Sequence, residues 1–94
     1  MTVTRISEFR AQPGQETALC NLINQFLPAI EGSAGCVSCQ LLQGQDDPTR
    51  IVAVEVWDSV ESHKASLQNI PPDVMAQAML LLAGTPQGEY FVPR

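Results

Sequence analysis

The sequence has little of what usually announces a chemistry. Its 94 residues include a single histidine, His63, and three cysteines. An odd cysteine count argues against a disulfide framework. So does a start, Met1-Thr2-Val3-Thr4-Arg5, in which no basic segment leads into an apolar run. Both features point to a cytoplasmic protein with reduced thiols. The longest apolar run, Ala78 to Ala83, falls far short of the roughly 18–20 residues that span a bilayer. Basic side chains are scarce and scattered (Arg5, Arg10, Arg50, Lys64, Arg94), and the net charge is −5. With no basic stripe to follow a phosphate backbone or an anionic lipid surface, neither nucleic acid nor membrane is expected as a partner. A glycine-rich phosphate loop, H-E-x-x-H, G-x-S-x-G and an EF-hand loop are all missing, which disfavours nucleotide and metal enzymes.

What the chain does have is clear periodicity. Residues 3–9 alternate loosely and are rich in β-branched side chains, as a strand requires, and Pro13-Gly14 ends them. From Gln15 to Ile30 the apolar positions are Leu19, Leu22, Ile23, Phe26, Leu27 and Ile30, one face of a helix. The stretch Glu31 to Gly35 stops that helix and offers a glycine for a left-handed cap. Two strands follow, Cys36–Gln43 and Arg50–Trp57, and the short turn between them, Gly44 to Pro48, makes an antiparallel hairpin. In the second, Val52, Val54 and Val56 share one face, and Ile51, Ala53, Glu55 and Trp57 the other. Asp58 or Ser59 caps a second helix bearing Val60, His63, Leu67 and Ile70, with Glu61 placed for a capping box if Asp58 is the cap. Pro71-Pro72 starts a third helix (Val74, Met75, Ala78, Met79, Leu82) that ends near Gly84. Residues 88–92 form the last strand.

The order β-α-β-β-α-(α)-β predicts one α+β domain over residues 1–94. It is the ferredoxin-like, split-βαβ arrangement of an antiparallel sheet with helices on one face. A chain this short buries only about 60–65% of its unfolded surface, so its own core is marginal. The third strand is apolar on both faces apart from Glu55, and one helical layer covers only one face. A second copy of the chain is the natural cover, so a homodimer is expected.

Few residues are placed to do chemistry. His63 lies on an apolar helix face and points inward. Its ordinary pKa near 6.5 suits a base at neutral pH or a ligand to a metal or haem, while the plainer role is a buried ring bonded to a backbone carbonyl. Trp57 either stacks on a flat ligand or fills the core. Glu55 is an inward carboxylate, costly unless paired, and stands either for acid–base work or for an ion pair with Arg5 or Arg50. Phe26, on the inward face of the first helix, is expected to line the ligand site with Trp57 and Glu55. Cys36-Val37-Ser38-Cys39 matches C-x-x-C, but it lies within a strand, where residues three apart face opposite ways, and reads as accidental. An apolar cavity with few polar groups suits a flat, hydrophobic small molecule.

Set out in this way, the chain resembles the antibiotic biosynthesis monooxygenase (ABM) superfamily of dimeric α+β barrels along nearly its whole length. The resemblance rests on Pro13-Gly14-Gln15-Glu16, Gly35-Cys36, Asp47-Pro48 and above all Glu55-Val56-Trp57-Asp58-Ser59 followed by Glu61 and His63. It implies a pocket between sheet and helices in each subunit and a sheet that pairs across a dimer. Family oxygenases act on polycyclic phenols and quinols without metal or flavin, so no cofactor is expected. By that resemblance His63 is the candidate catalytic residue, as base or hydrogen-bond partner, Trp57 a pocket wall, and the activity oxidation of a phenolic, quinol or polycyclic aromatic compound by dioxygen. The alternative is a non-enzymatic module that binds a small apolar molecule. Haem-degrading relatives use an asparagine on the first strand. Here no asparagine precedes Asn21, and His63 follows Trp57 more closely than the haem ligand of those relatives does, so haem binding or degradation is the weaker expectation.

Overall fold

The computed structural model describes all residues, Met1–Arg94. Strand β1 (Val3–Arg10) leads into helix α1 (Glu16–Glu31), then β2 (Cys36–Gln43), β3 (Arg50–Trp57) and helix α2 (Val60–Ser66). A single 3₁₀ turn (Leu67–Asn69) connects α2 to α3 (Pro72–Leu81), and β4 (Gln87–Phe91) closes the chain. The strands form one sheet in the order β2-β3-β1-β4, every neighbouring pair antiparallel, as the ferredoxin-like reading expects. No helix is long and apolar enough to cross a membrane.

The alternation of side chains divides the sheet into two unlike faces. Val3, Ile51, Ala53 and Trp57 point toward the helices and are buried. There they meet Leu19, Ile23 and Ile30 from the apolar stripe of α1. Two clusters result, one around Leu19, Ile23 and Ile51, the other around Val3, Ile30 and Trp57. The opposite face carries Val52, Val54 and Val56, which no helix of this chain covers; Ile6, Leu42 and Phe91 beside them are exposed.

Several local expectations need correction. Of the two caps offered for α2 it is Ser59 that serves, its hydroxyl accepting from the Ser62 N–H, so the capping box that required Asp58 does not form and Glu61 falls one position short. Helix α1 is not closed by a left-handed glycine: Gly32 keeps right-handed backbone angles, and the positive φ, 87°, belongs to Gly35 at the entry to β2. A side chain at Gly35 would also run into Asp58 and Ser62, so the turn needs glycine for space as well as for angle. Helix α3 stops at Leu81, before Gly84, and buries none of its residues. Its far end is tied down instead by a bridge between Leu82 and Ala11 and by the Gln12 amide, which donates to the Leu80 and Leu82 carbonyls.

The C-x-x-C segment also differs from expectation. The β2–β3 register passes from Cys36 opposite Trp57 to Ser38 opposite Val56, leaving Val37 unpaired in a bulge. One extra residue reverses the parity of the strand. Cys36 and Cys39 therefore face the same way, toward Trp57 and Glu55 on the helix side, and both pack on the Val3–Ile30–Trp57 cluster.

Candidate functional site

Between the two core clusters the helices stand off the sheet and leave a cavity of about 250 Å³. Its floor is the inner sheet face, its walls come from α1 (Phe26, Ile30) and α2 (His63, Ser66), and α3 covers it with Met75, Ala78 and Met79. Most of the lining is apolar. On the sheet side strand register sets the polar groups: Cys39, Glu55 and Arg5 line the cavity, and with Tyr90 they are successive cross-strand partners in one line across all four strands.

His63 stands over this row. It is buried, with only 6% of its surface exposed, and its Nδ1 lies 2.6 Å from the Tyr90 hydroxyl. The ring packs edge-on between Trp57, 5.6 Å away, and Tyr90, 5.4 Å away, and both contacts fix its plane. The partner anticipated for a plainly structural histidine, a backbone carbonyl, is not the one found; the His63 carbonyl itself accepts from Ser66 Oγ. Burial lowers the His63 pKa below its usual 6.5, with the Arg5 and Lys64 cations adding to the effect. The ring is therefore neutral at pH 7. When the proton sits on Nδ1 and is donated to the Tyr90 hydroxyl, Nε2 presents a lone pair; when Tyr90 donates to Nδ1, Nε2 carries the proton.

Glu55 and Phe26 both line the cavity, as the sequence suggests. Trp57 does not: its ring is fully buried behind the lining, and its indole N–H donates to Glu55 Oε1 at 3.1 Å. It acts on the site by holding Glu55 and bracing His63. Burial raises the Glu55 pKa, opposed by the Trp57 hydrogen bond and by Arg5. Neither ion pair considered for Glu55 forms, since Arg50 pairs with Glu8 on the opposite face and Arg5 meets no carboxylate. Cys39 also lines the cavity, but burial, with Glu55 nearby, pushes its thiol up to about 12, so it stays protonated.

Tyr90 was absent from the sequence reading of the site, and Arg5 entered it only as an ion-pair partner for Glu55. The Arg5 guanidinium lies 4.7 Å from the Tyr90 ring centroid and donates from Nε to Ser7 Oγ. Tyr90 joins the site through a pairing between β1 and β4 that spans almost the whole chain, which no local pattern announces. No group of three or more His, Cys, Asp and Glu side chains gathers to hold a metal ion.

The model of antibiotic biosynthesis monooxygenases matches residues 2–76. The chain belongs to the antibiotic biosynthesis monooxygenase family. This ABM domain is 35% identical to a Chloroflexus aurantiacus J-10-fl protein given the same family name, covering 100% of this chain and 94% of that one with a TM-score of 0.81. It shares its fold with Rv0793 of Mycobacterium tuberculosis, at 22% identity and a TM-score of 0.85 over 100% and 96% of the two chains. SnoaB, a cofactor-independent oxygenase from Streptomyces nogalater, has the fold too, at 20% identity and a TM-score of 0.82 over 99% and 93%. The uncharacterised M. tuberculosis protein Rv2558 is 27% identical over 86 residues, 90% of this chain and 36% of that protein. The ABM domain thus spans about a third of the length of the curated relatives it matches.

Proposed function

We propose that this ABM domain oxidises an electron-rich phenol or quinol with dioxygen, without a metal or organic cofactor, in the cavity between sheet and helices. The observation that carries the reading is His63: a neutral imidazole on the wall of an apolar cavity, held by Tyr90 through one ring nitrogen and left with the other for a ligand. In the proposed reaction Nε2 takes the phenolic proton. The phenolate passes an electron to dioxygen, and the resulting pair joins through a carbon–oxygen bond to form a ring peroxide. The imidazolium of His63 returns its proton to the terminal peroxide oxygen; loss of the ring proton and cleavage of the oxygen–oxygen bond then leave a quinone and hydroxide, which the released ring proton converts to water. One naphthol and one dioxygen thereby yield one naphthoquinone and one water. The apolar lining favours this course because it binds a flat ring and keeps bulk water from the peroxide. The likeness to SnoaB supports oxygen chemistry of the same kind.

The test is oxygen uptake by metal-stripped protein supplied with naphthols and naphthohydroquinones. Uptake well above spontaneous oxidation, reduced about 100-fold or more by His63→Ala, is the expected result for a general base. Uptake no faster than in buffer, with binding still detected, would replace the oxygenase reading with that of a binding module.

The same reading includes a second copy of the chain on the outer sheet face. Val52, Val54 and Val56 form a half-buried stripe there, flanked by exposed Ile6, Leu42 and Phe91. An apolar face of this kind gains free energy by pairing with its own copy about a two-fold axis.

A further inference from the structure

Three arginines sit in the sheet, and their environments differ. Arg10 pairs with Asp47 at 2.9 Å, and Arg50 pairs with Glu8. Arg5 lines the cavity with no carboxylate in ion-pairing reach, although Glu55 is its cross-strand neighbour. Its guanidinium turns the other way, toward β4, where it covers the Tyr90 ring and presses against Gly88; a Cβ at Gly88 would overlap it. Nε is taken by Ser7 Oγ, whereas neither terminal nitrogen makes a hydrogen bond within the protein. A half-buried cation with two free N–H-bearing nitrogens is costly to maintain beside apolar walls, and a carboxylate matches its planar fork.

We infer that the ligand of this cavity is an aromatic acid: a flat ring system whose carboxylate sits on the terminal nitrogens of Arg5 while its ring fills the space between Phe26 and the methionines of α3. The inference rests on the reading of the cavity as the substrate site and adds what selects the substrate. Arg5 anchors one end of the ring and thereby fixes which ring position comes to His63. Glu55 keeps the anion on the β4 side of the cavity, since two carboxylates avoid sharing one place. Gly88 supplies the room in which the guanidinium and the ligand carboxylate meet.

Calorimetric titration of the whole chain with a naphthol and with the hydroxynaphthoate that adds one carboxylate to it tests the proposal. The acid is expected to bind about tenfold more tightly, the usual worth of a charge-assisted hydrogen-bonded pair. Arg5→Met should bring the two ligands to equal affinity. Gly88→Ala, which displaces the guanidinium but removes no charge, should narrow the preference several-fold. Thermal melts of both variants identify any that fail to fold, and the comparison on the unaltered chain needs no variant. Equal affinity of the unaltered chain for both ligands, no binding of either, or a preference that survives in folded Arg5→Met would overturn the inference. Oxygen uptake in the same samples keeps the two readings apart. A carboxylate preference without uptake leaves the inference standing and removes the oxygenase. Uptake without the preference does the reverse.

Discussion

At the scale of single residues, the site depends on a few side chains whose environments alter their chemistry. His63 is held neutral by burial and by Arg5, so the proton-accepting form persists to lower pH than in a free histidine. The acid limb of the oxygen-uptake profile should accordingly lie below 6.5, the ordinary value, and should move upward in Arg5→Met as one opposing cation is removed. A limb at or above 6.5 in the unaltered chain would show that another group governs the rate. Tyr90→Phe removes the partner of Nδ1 while leaving the aromatic packing in place. We expect kcat to fall about tenfold with little change in KM, because the ring loses its orientation and tautomer but the cavity keeps its shape. Trp57 belongs to a different class. Buried completely and outside the lining, it is a structural support, and Trp57→Ala should cost about 3–5 kcal/mol in denaturant unfolding.

At the scale of elements, the site is assembled by turns and irregularities as much as by regular structure. Gly35 allows the chain to leave α1 and enter β2 beneath the N-terminus of α2, and its backbone N–H and C=O positions depend on a positive φ. Gly35→Ala must accept a left-handed alanine and move Ser62 as well, so a loss of about 2–3 kcal/mol is expected by chemical denaturation, with the effect centred on α2 and therefore on His63. The bulge at Val37 is the second such device. It brings Cys36 round to the face of Cys39, Glu55 and Arg5, whereas a regular strand would have turned Cys36 and Cys39 to opposite faces. Helix α3 closes the cavity without burying any residue of its own, leaving Met75 and Met79 about half exposed. Flexible, polarizable methionines suit a cover that meets ligands of varied outline.

At the scale of the whole molecule, only 13 of the 94 residues are buried, a small core for a chain that must pay for the order of its entire backbone. The outer face of the sheet is where further burial is available. Sedimentation at micromolar concentration should give a dimer, and Val54→Glu, placed in the middle of the valine stripe, should shift it toward monomer and lower the melting temperature. A stable monomer of the unaltered chain would show that this face has no such partner. Dimer formation and catalysis are separable in this picture, since Val52, Val54 and Val56 do not line the cavity.

The element order, the apolar stripe of α1, the hairpin and the inward placement of His63 were determined by sequence alone, because each follows from periodicities of two or 3.6 residues and from turn-forming residues close together in the chain. Glu55 and Phe26 could be assigned to the cavity side for the same reason. Tertiary structure decided the rest. The Val37 bulge has no signature in composition, yet one unpaired residue reverses the face of everything before it. Whether Trp57 or Arg5 touches a ligand depends on how far the helices stand off the sheet, a matter of packing rather than pattern. Tyr90 reaches His63 only because β4 returns to pair with β1, and a hydrogen bond between residues 27 positions apart arises from that topology and not from any local spacing.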